Sequence, residues 1–237
     1  MIWLGIDTAN TPLSVAIVKD GEVITEENTS TKVNHSLRAM PAIEEAFQRA
    51  KMTPDQIDFI AVSEGPGSYT GVRIGVTVAK TLAWTLNKPL IGVSSLQSLA
   101  MNACLYDDGF ICPLFDARRN HVYTALYHIE KGQLDAHIDD QHMSIEALIE
   151  VVKELNRPVL FIGKDVAMYR TFITEQLGDL AQFVPYSLNI PRASSLIYAA
   201  ERLEAPVDVH HFVPKYRRIA EAEANWLKTQ GKDRQDG

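Results

Sequence analysis

Residues 2–29, IWLGIDTANTPLSVAIVKDGEVITEENT, decide the fold. Apolar runs flank the turn-forming residues 7–12, and this pattern predicts a β-hairpin. A second turn at Asp20-Gly21 leads into a run of mixed polarity that is typical of an edge strand. The predicted strands are 2–6, 13–18 and 23–29. The chain is therefore expected to open with a three-stranded antiparallel meander.

After this meander the hydrophobic period lengthens to between three and four residues. Apolar positions recur at that spacing from Ser36 onward, which predicts an amphipathic helix, and Asn34 or Ser36 can cap its start. The later elements of this half are a strand at 57–62, a helix at about 70–86, a strand at 90–93, and a helix from Ser94 or Ser95 to about Tyr106. The predicted order is β-β-β-α-β-α-β-α.

A second strand-rich run starts at Phe110 and repeats the beginning of this order. Its predicted strands are 110–115, 122–129, 134–138 and 159–162, and its predicted helices are 145–155, about 167–177, and 193–203. Two successive β-β-β-α-β-α modules resemble the plan of the actin-like ATPase (RNase H-like) α/β fold, which has two lobes, each built on a mixed β-sheet with flanking helices. We expect an N-terminal lobe at 1–107, a reduced C-terminal lobe at 108–218 that is too short to be complete, and a charged, frayed tail at 219–237.

Composition and charge argue against an unaided nucleic-acid-binding protein, a disulfide-stabilised protein and a membrane-spanning protein. The chain has 237 residues, of which 46% are hydrophobic and 22% charged, as is typical of a globular protein. Its net charge of −7 lacks the basic excess of a protein that grips nucleic acid unaided. Cys104 and Cys112 are too few for a disulfide framework, and the sequence contains neither a basic leader nor an apolar run long enough for a membrane span. We therefore predict a cytoplasmic protein with no membrane contact.

Two features suggest a nucleotide site. Asp7 and Thr8 follow the first strand, where an acid of actin-like ATPases faces phosphates and metal; the alternative is an aspartate that binds its own turn. The stretch GPGSYTG at 65–71 leads into a helix, so its amides can hold an anion. It has neither the Walker spacing nor the dinucleotide fingerprint. A vestigial nucleotide site is therefore predicted at Asp7, Thr8, Gly65, Gly67 and Ser68.

The helix that follows this stretch carries small residues every four positions. Gly71, Gly75 and Ala79 form one stripe, and each glycine costs about 1 kcal/mol of helix stability relative to alanine. A helix that accepts this cost needs a closely packed neighbour. That neighbour is either the rest of the monomer or, in the interpretation we favour, a helix of another subunit.

Histidines and basic residues give weaker signals. The 7 histidines show no His-x-x-x-His spacing, and no nucleophile constellation stands out, so we predict no metal ligand and no catalytic residue. The adjacent His210 and His211 are predicted to point to opposite faces of a strand. The cluster KYRR at 215–218 is interpreted as solvated surface, with a contact to RNA or to an acidic partner as the alternative.

Four motifs resemble the bacterial TsaB (YeaZ) family. They are LGIDTA at 4–9, GPGSYTGVRIG at 65–75, DAR at 116–118 and PKYR at 214–217. Members of that family are non-catalytic paralogues of TsaD, which transfers a threonylcarbamoyl group to the adenosine beside the anticodon of ANN-decoding tRNAs. The resemblance implies that this chain pairs with TsaD, works with the small ATPase TsaE, needs no cofactor, and meets tRNA only indirectly through the complex.

The chain departs from the catalytic paralogue at three places. TsaD carries Val-His-His-x-x-x-His after the corresponding strand, and two of those histidines bind metal. Here the sequence is VSSLQSL at 93–99, so Ser95 and Leu99 stand at the ligand positions. The glycine-rich phosphate hairpin is replaced by 116–118, and the paired glycines of the adenosine site are reduced to Gly163-Lys164. These differences imply that the chain is not a transferase.

The resemblance also implies where the partner binds. In the family, the first-lobe helices that flank the glycine loop form a bundle with the matching helices of TsaD, and homodimers use the same surface when TsaD is absent. The predicted partner-binding residues are Leu37, Met40, Tyr69, Gly71, Arg73, Gly75, Ala79 and Leu82. Two alternative functions are a peptidase that acts on its partner and a nucleotide-binding enzyme of the sugar-kinase type.

Overall fold

The computed structural model describes residues 1–29, 34–104, 109–131, 133–203 and 206–217, and within them it contains two five-stranded mixed sheets. The first comprises β1 (Ile2–Asp7), β2 (Leu13–Lys19), β3 (Glu22–Thr29), β4 (Phe59–Ser63) and β5 (Leu90–Val93), in the order β3-β2-β1-β4-β5. The second comprises β6 (Gly109–Asp116), β7 (His121–Glu130), β8 (Gln133–Ser144), β9 (Val159–Ile162) and β10 (Ala181–Phe183), in the order β10-β9-β6-β7-β8. The predicted two-lobed α/β architecture is confirmed.

The second sheet repeats the topology of the first. In each sheet the first three strands are antiparallel, and the fourth strand runs parallel to the first and to the fifth. Strand β10, which has 3 residues, was not predicted from the sequence. The second lobe therefore has the complete element order, contrary to the expectation of an incomplete module, and it is reduced in length: its helices Ile145–Leu155 and Val166–Leu177 have 11 and 12 residues, where His35–Ala50 and Tyr69–Leu86 of the first lobe have 16 and 18.

The described ranges contain six α-helices. They are α1 (His35–Ala50), α2 (Tyr69–Leu86), α3 (Ser95–Ala100), α4 (Ile145–Leu155), α5 (Val166–Leu177) and α6 (Ala193–Ala200). The side chains of Asn34, Ser68 and Ser94 accept backbone N–H bonds at the starts of α1, α2 and α3. Two helices are shorter than predicted, since α3 ends at Ala100 and α6 ends at Ala200. No described helix has the length and apolar character to cross a bilayer.

Helices cover both faces of the first sheet, since successive side chains along each strand point to opposite faces and are apolar on both. Leu4 and Ile6 of β1 lie in the core beneath α1 and α2, whereas Trp3 faces α6 on the opposite side. Both faces are apolar, so the central strands contain almost no exposed residue. This arrangement leaves α1 and α2 together on one outer face of the lobe.

Two helices cross the predicted boundary between the lobes. The side chains of α3 pack with Ile111 and Phe115 of the second sheet, and those of α6 pack with Trp3 and Ile91 of the first. A division at residue 107 therefore separates the two sheets but assigns α3 and α6 to the wrong cores. The C-terminal lobe cannot be cut away without exposing the first sheet.

The last described residues return to the first lobe. We call residues 206–217 the strap; its Val207 N–H donates to Leu90 O (2.8 Å), and Phe212 is buried in the first core. The predicted strand at His210 and His211 is wrong, because both lie in a turn that Asp208 caps through its carboxylate. The predicted tail at 219–237 lies outside the described residues.

Candidate docking surface and the closed cleft

The glycine-rich stretch packs directly on the turn that follows β1. The Ser68 N–H donates to Ala9 O (2.7 Å), and the Thr8 hydroxyl donates to Gly71 O (2.8 Å). A Cβ built on Gly67 would overlap the carbonyl oxygen of Ala9. The residues of the predicted nucleotide site are therefore close together, but these contacts join the chain to itself.

Asp7 is buried at the end of β1. Its side chain is in contact with its own turn, where Oδ1 accepts the Ala9 N–H (2.9 Å). Burial raises the pKa of the Asp7 carboxyl above its usual value, and the bond from Ala9 opposes that rise. The carboxylate therefore has the turn-forming role that was the alternative to phosphate binding.

Asp7→Asn is expected to increase the free energy of unfolding at neutral pH, because the amide removes a buried charge and keeps the acceptor for Ala9. Since the folded pKa lies above the unfolded value, the wild type loses stability as the pH rises from the unfolded pKa to the folded one. The gain should vanish below pH 3.8, the ordinary value for aspartate, where both states are protonated. Urea denaturation across this range measures it, and an equal gain at every pH would contradict the account.

A small pocket lies between the two lobes. The space there measures about 30 Å³, close to the volume of one water molecule. It is lined by Asn10, Thr11, Pro12, Phe115, Lys164, Asp165 and Pro191. Pockets that hold small molecules measure about 300–1,000 Å³. In this conformation this pocket has no room for a nucleotide.

The hairpin that replaces the phosphate loop is braced by side chains. Arg118, Arg119 and Asn120 have φ values of 68°, 54° and 57°, so three consecutive left-handed residues turn β6 into β7. The Asp116 carboxylate accepts the Arg118 N–H (3.1 Å) and the Tyr169 hydroxyl (2.7 Å). These bonds fix the turn without the glycines that a phosphate-binding hairpin uses.

The described part of the chain assembles no three-ligand metal site, and its two cysteines are buried. Ser95 and Leu99 are fully buried, and Leu99 lies in an apolar core. Within the described ranges, no three His, Cys, Asp or Glu side chains converge as metal ligands. Burial raises the pKa of the Cys112 thiol to about 12 and also raises that of Cys104, whereas a nucleophilic cysteine needs a lowered pKa.

The small-residue stripe of α2 faces the interior of the monomer. A Cβ on Gly71 would overlap the Thr8 carbonyl oxygen, and one on Gly75 would overlap the Thr8 hydroxyl. Ala79 is fully buried in the first core. The prediction that Gly71, Gly75 and Ala79 contact another subunit is wrong, because their close neighbour is the turn after β1 and the core beside it.

The outer side of α1 and α2 carries an open apolar groove of about 600 Å³. Its lining residues are Met40, Pro41, Ile43, Glu44, Phe47, Gln48, Met52, Pro54 and Leu82. Leu37 is 69% exposed, Met40 50% and Trp84 69%. We call the groove with Leu37 the docking surface. Of the predicted partner residues it contains Leu37, Met40 and Leu82, whereas the exposed Trp84 lies on another side of α2, two residues beyond Leu82.

Tyr69 and Arg73, also predicted to bind the partner, lie at the other end of α2. Arg73 donates to the Tyr69 hydroxyl (2.9 Å), and the Tyr216 ring of the strap stacks on the Tyr69 ring at 4.8 Å between centroids. Their environment is polar and aromatic. They form a cluster separate from the residues that line the groove.

Comparison with known proteins identifies the relatives of this chain. The family model described as "TsaD: tRNA N6-adenosine threonylcarbamoyltransferase" matches residues 22–226. The TsaB protein of Bacillus subtilis (strain 168), named for tRNA threonylcarbamoyladenosine biosynthesis, is 45% identical over 97% of this chain and 100% of its own length. Its Escherichia coli (strain K12) counterpart is 35% identical over 97% and 99%.

A solved structure from Pseudomonas aeruginosa, described as an uncharacterized protein similar to peptidase YEAZ, covers 92% of this chain and 99% of its own. Its TM-score is 0.76 at 23% identity, so the likeness concerns the fold alone. The two-lobed α/β fold of this chain is therefore the fold of that YeaZ-like structure. Taken with the full-length similarity to the two named proteins, this places the chain in the TsaB (YeaZ) family of tRNA threonylcarbamoyladenosine biosynthesis proteins.

Proposed function

We propose that this chain is a non-catalytic scaffold that binds a TsaD-type transferase through the docking surface and supports threonylcarbamoyl transfer to tRNA in the cytoplasm. A TsaE-type ATPase works with this pair. The observation that carries the proposal is the exposed apolar groove on the outer side of α1 and α2, on a lobe whose pocket toward the second lobe is too small for a nucleotide. A protein with that combination acts by binding another protein.

The docking surface has the chemistry of a protein interface. Exposed leucine and methionine side chains around an apolar groove are typical of interaction sites. The match to a family model named for the transferase supports a shared fold. Two chains of one fold can pair equivalent faces around a pseudo-twofold axis, so we also expect weak homodimers through this surface in the absence of the transferase.

Two separate observations argue against the two alternative functions. A sugar-kinase-type enzyme needs space for a nucleotide, and the pocket between the lobes offers about 30 Å³. A cysteine peptidase needs a reactive thiol, and both cysteines are buried with raised pKa values. Calorimetry of the chain with ATP and magnesium is expected to show no binding; tight binding would favour the kinase alternative.

The experiment that tests the proposed function is tRNA modification with purified components. The transferase and the TsaE-type ATPase of the same organism are mixed with tRNA and threonylcarbamoyl-AMP, with and without this chain. We expect modification to require both this chain and the transferase, and this chain alone to modify nothing. Full activity of the transferase without this chain, or activity of this chain alone, would refute the role of a non-catalytic activator.

A further inference from the structure

A stacked cluster is exposed where the strap crosses the start of α2. The Tyr216 ring stacks on the Tyr69 ring at 4.8 Å and 28°, and the Arg73 guanidinium lies 5.2 Å from the centre of the Tyr69 ring. Tyr69 is 52% exposed and Tyr216 43%. We call Tyr69, Arg73 and Tyr216 the tyrosine stack; neither the groove nor the pocket between the lobes includes it.

The charges around the tyrosine stack are layered. Lys215 Nζ lies 2.7 Å from Glu64 Oε1, and an Arg217 guanidinium nitrogen lies 3.8 Å from Asp140 Oδ2. Both carboxylates are only 7% exposed, whereas the side chains of Lys215 and Arg217 are 58% and 39% exposed. Cations therefore face outward above buried acids. Arg73 adds a third exposed cation with no carboxylate partner in the described ranges.

The backbone holds this arrangement in place. The Lys215 N–H donates to Glu64 O (2.7 Å), and a Cβ on Gly65 would lie 2.6 Å from the Lys215 carbonyl oxygen, so the strap lies flat against the glycine loop. Lys80 Nζ of α2 donates to Phe212 O (2.6 Å), and this bond fixes the middle of the strap to α2. A prearranged site of this kind loses little conformational entropy on binding.

We propose that the tyrosine stack is an RNA contact, in which an unpaired base stacks on Tyr216 and the flanking phosphates bind Arg73, Lys215 and Arg217. Aromatic rings bordered by guanidinium groups are the usual platform for unstacked bases, and outward cations supply the phosphate contacts. The inference rests on the proposed function, because the RNA is the tRNA of the complex. With a net charge of −7, this chain adds one contact to a complex that grips the tRNA elsewhere.

A partner protein is the competing occupant, and the charge layering argues against it. Protein interfaces are enriched in tyrosine and arginine but depleted of lysine at their cores, and the apolar residues that suit a protein partner are gathered at the docking surface. The tyrosine stack instead combines aromatic faces with three cations whose acids are buried or absent. That combination fits a polyanion that also offers flat rings.

The test measures RNA affinity of the complex with the transferase, using a fluorescent anticodon stem-loop RNA at several salt concentrations. Tyr216→Ala is expected to weaken binding about tenfold, the loss of one stacked base, and Tyr216→Phe to retain most of it. Arg73→Gln should also reduce the slope of log affinity against log salt by about 0.7, the share of one cation. The matched control is Arg202→Gln, whose guanidinium lies over the Tyr198 ring at 3.3 Å.

Unchanged RNA affinity in both stack variants would overturn the proposal. Affinity for the transferase is measured separately without RNA; a loss there, with RNA binding intact, would instead make the stack a protein contact. If the wild type fails to bind the transferase, the proposed function fails. The stack is then tested by RNA binding of this chain alone at low salt, where equal affinity of wild type and Tyr216→Ala would refute it.

Discussion

Gly71→Ala is expected to lower the free energy of unfolding by about 3 kcal/mol, at the upper end of typical overpacking costs. The added Cβ would overlap the Thr8 carbonyl oxygen, which is backbone and cannot move aside alone. The shift would also strain the bond from the Thr8 hydroxyl to Gly71 O. Urea denaturation followed by circular dichroism measures the loss.

Whether Gly71→Ala lowers or raises the free energy of unfolding distinguishes the two interpretations of the small-residue stripe, which are packing within the monomer and contact with another subunit. On an open helix face, alanine stabilises a helix relative to glycine by about 1 kcal/mol. Thr77→Ala, on the exposed side of the same helix, is the control and should change stability by less than about 0.5 kcal/mol. A Gly71→Ala protein more stable than the wild type would show that the stripe is open to a partner.

Met40→Asp is expected to raise the dissociation constant for the transferase about 100-fold while leaving the monomer folded. Met40 lines the groove and is half exposed, so a carboxylate there is solvated in the free chain. Docking would bury that charge among apolar side chains without a partner, which costs several kcal/mol. A cost of about 3 kcal/mol corresponds to about 100-fold in affinity. Titration calorimetry with the purified transferase gives the value.

The chain offers a matched control for this substitution. Met168 on α5 is 67% exposed in the second lobe, away from the docking surface. Met168→Asp introduces the same charge at similar exposure and should leave the affinity unchanged. If Met40→Asp and Met168→Asp have the same affinity for the transferase, the groove is not the interface. If Met168→Asp alone weakens binding to the transferase, the interface lies on the second lobe.

Local patterns account for the parts of the fold that sequence predicted well. The strand β9 and the helix α4 were predicted with their observed bounds, because each is a short apolar or amphipathic run between clear turn signals. The three-residue β10 was missed, since it carries no period long enough to recognise. The exchange of α3 and α6 between lobes was missed because an apolar helix face does not specify which sheet covers it.

The same limit explains the errors at the site. A stripe of glycines indicates that something packs closely against the helix, but it does not identify the neighbour. The sequence was therefore equally consistent with a helix of another subunit at Gly71 and Gly75 and with the observed turn at Thr8. The strap could not be foreseen, because its contacts join residues more than 100 positions apart.

The central claim is that this chain acts by binding a TsaD-type transferase through the outer face of α1 and α2. Light scattering during size-exclusion chromatography of an equimolar mixture tests it most directly, with wild type and Met40→Asp compared. The account predicts a single species with the mass of a mixed complex for the wild type, and separate species for the variant. Separate elution of the wild-type chain and the transferase at micromolar concentration would contradict it.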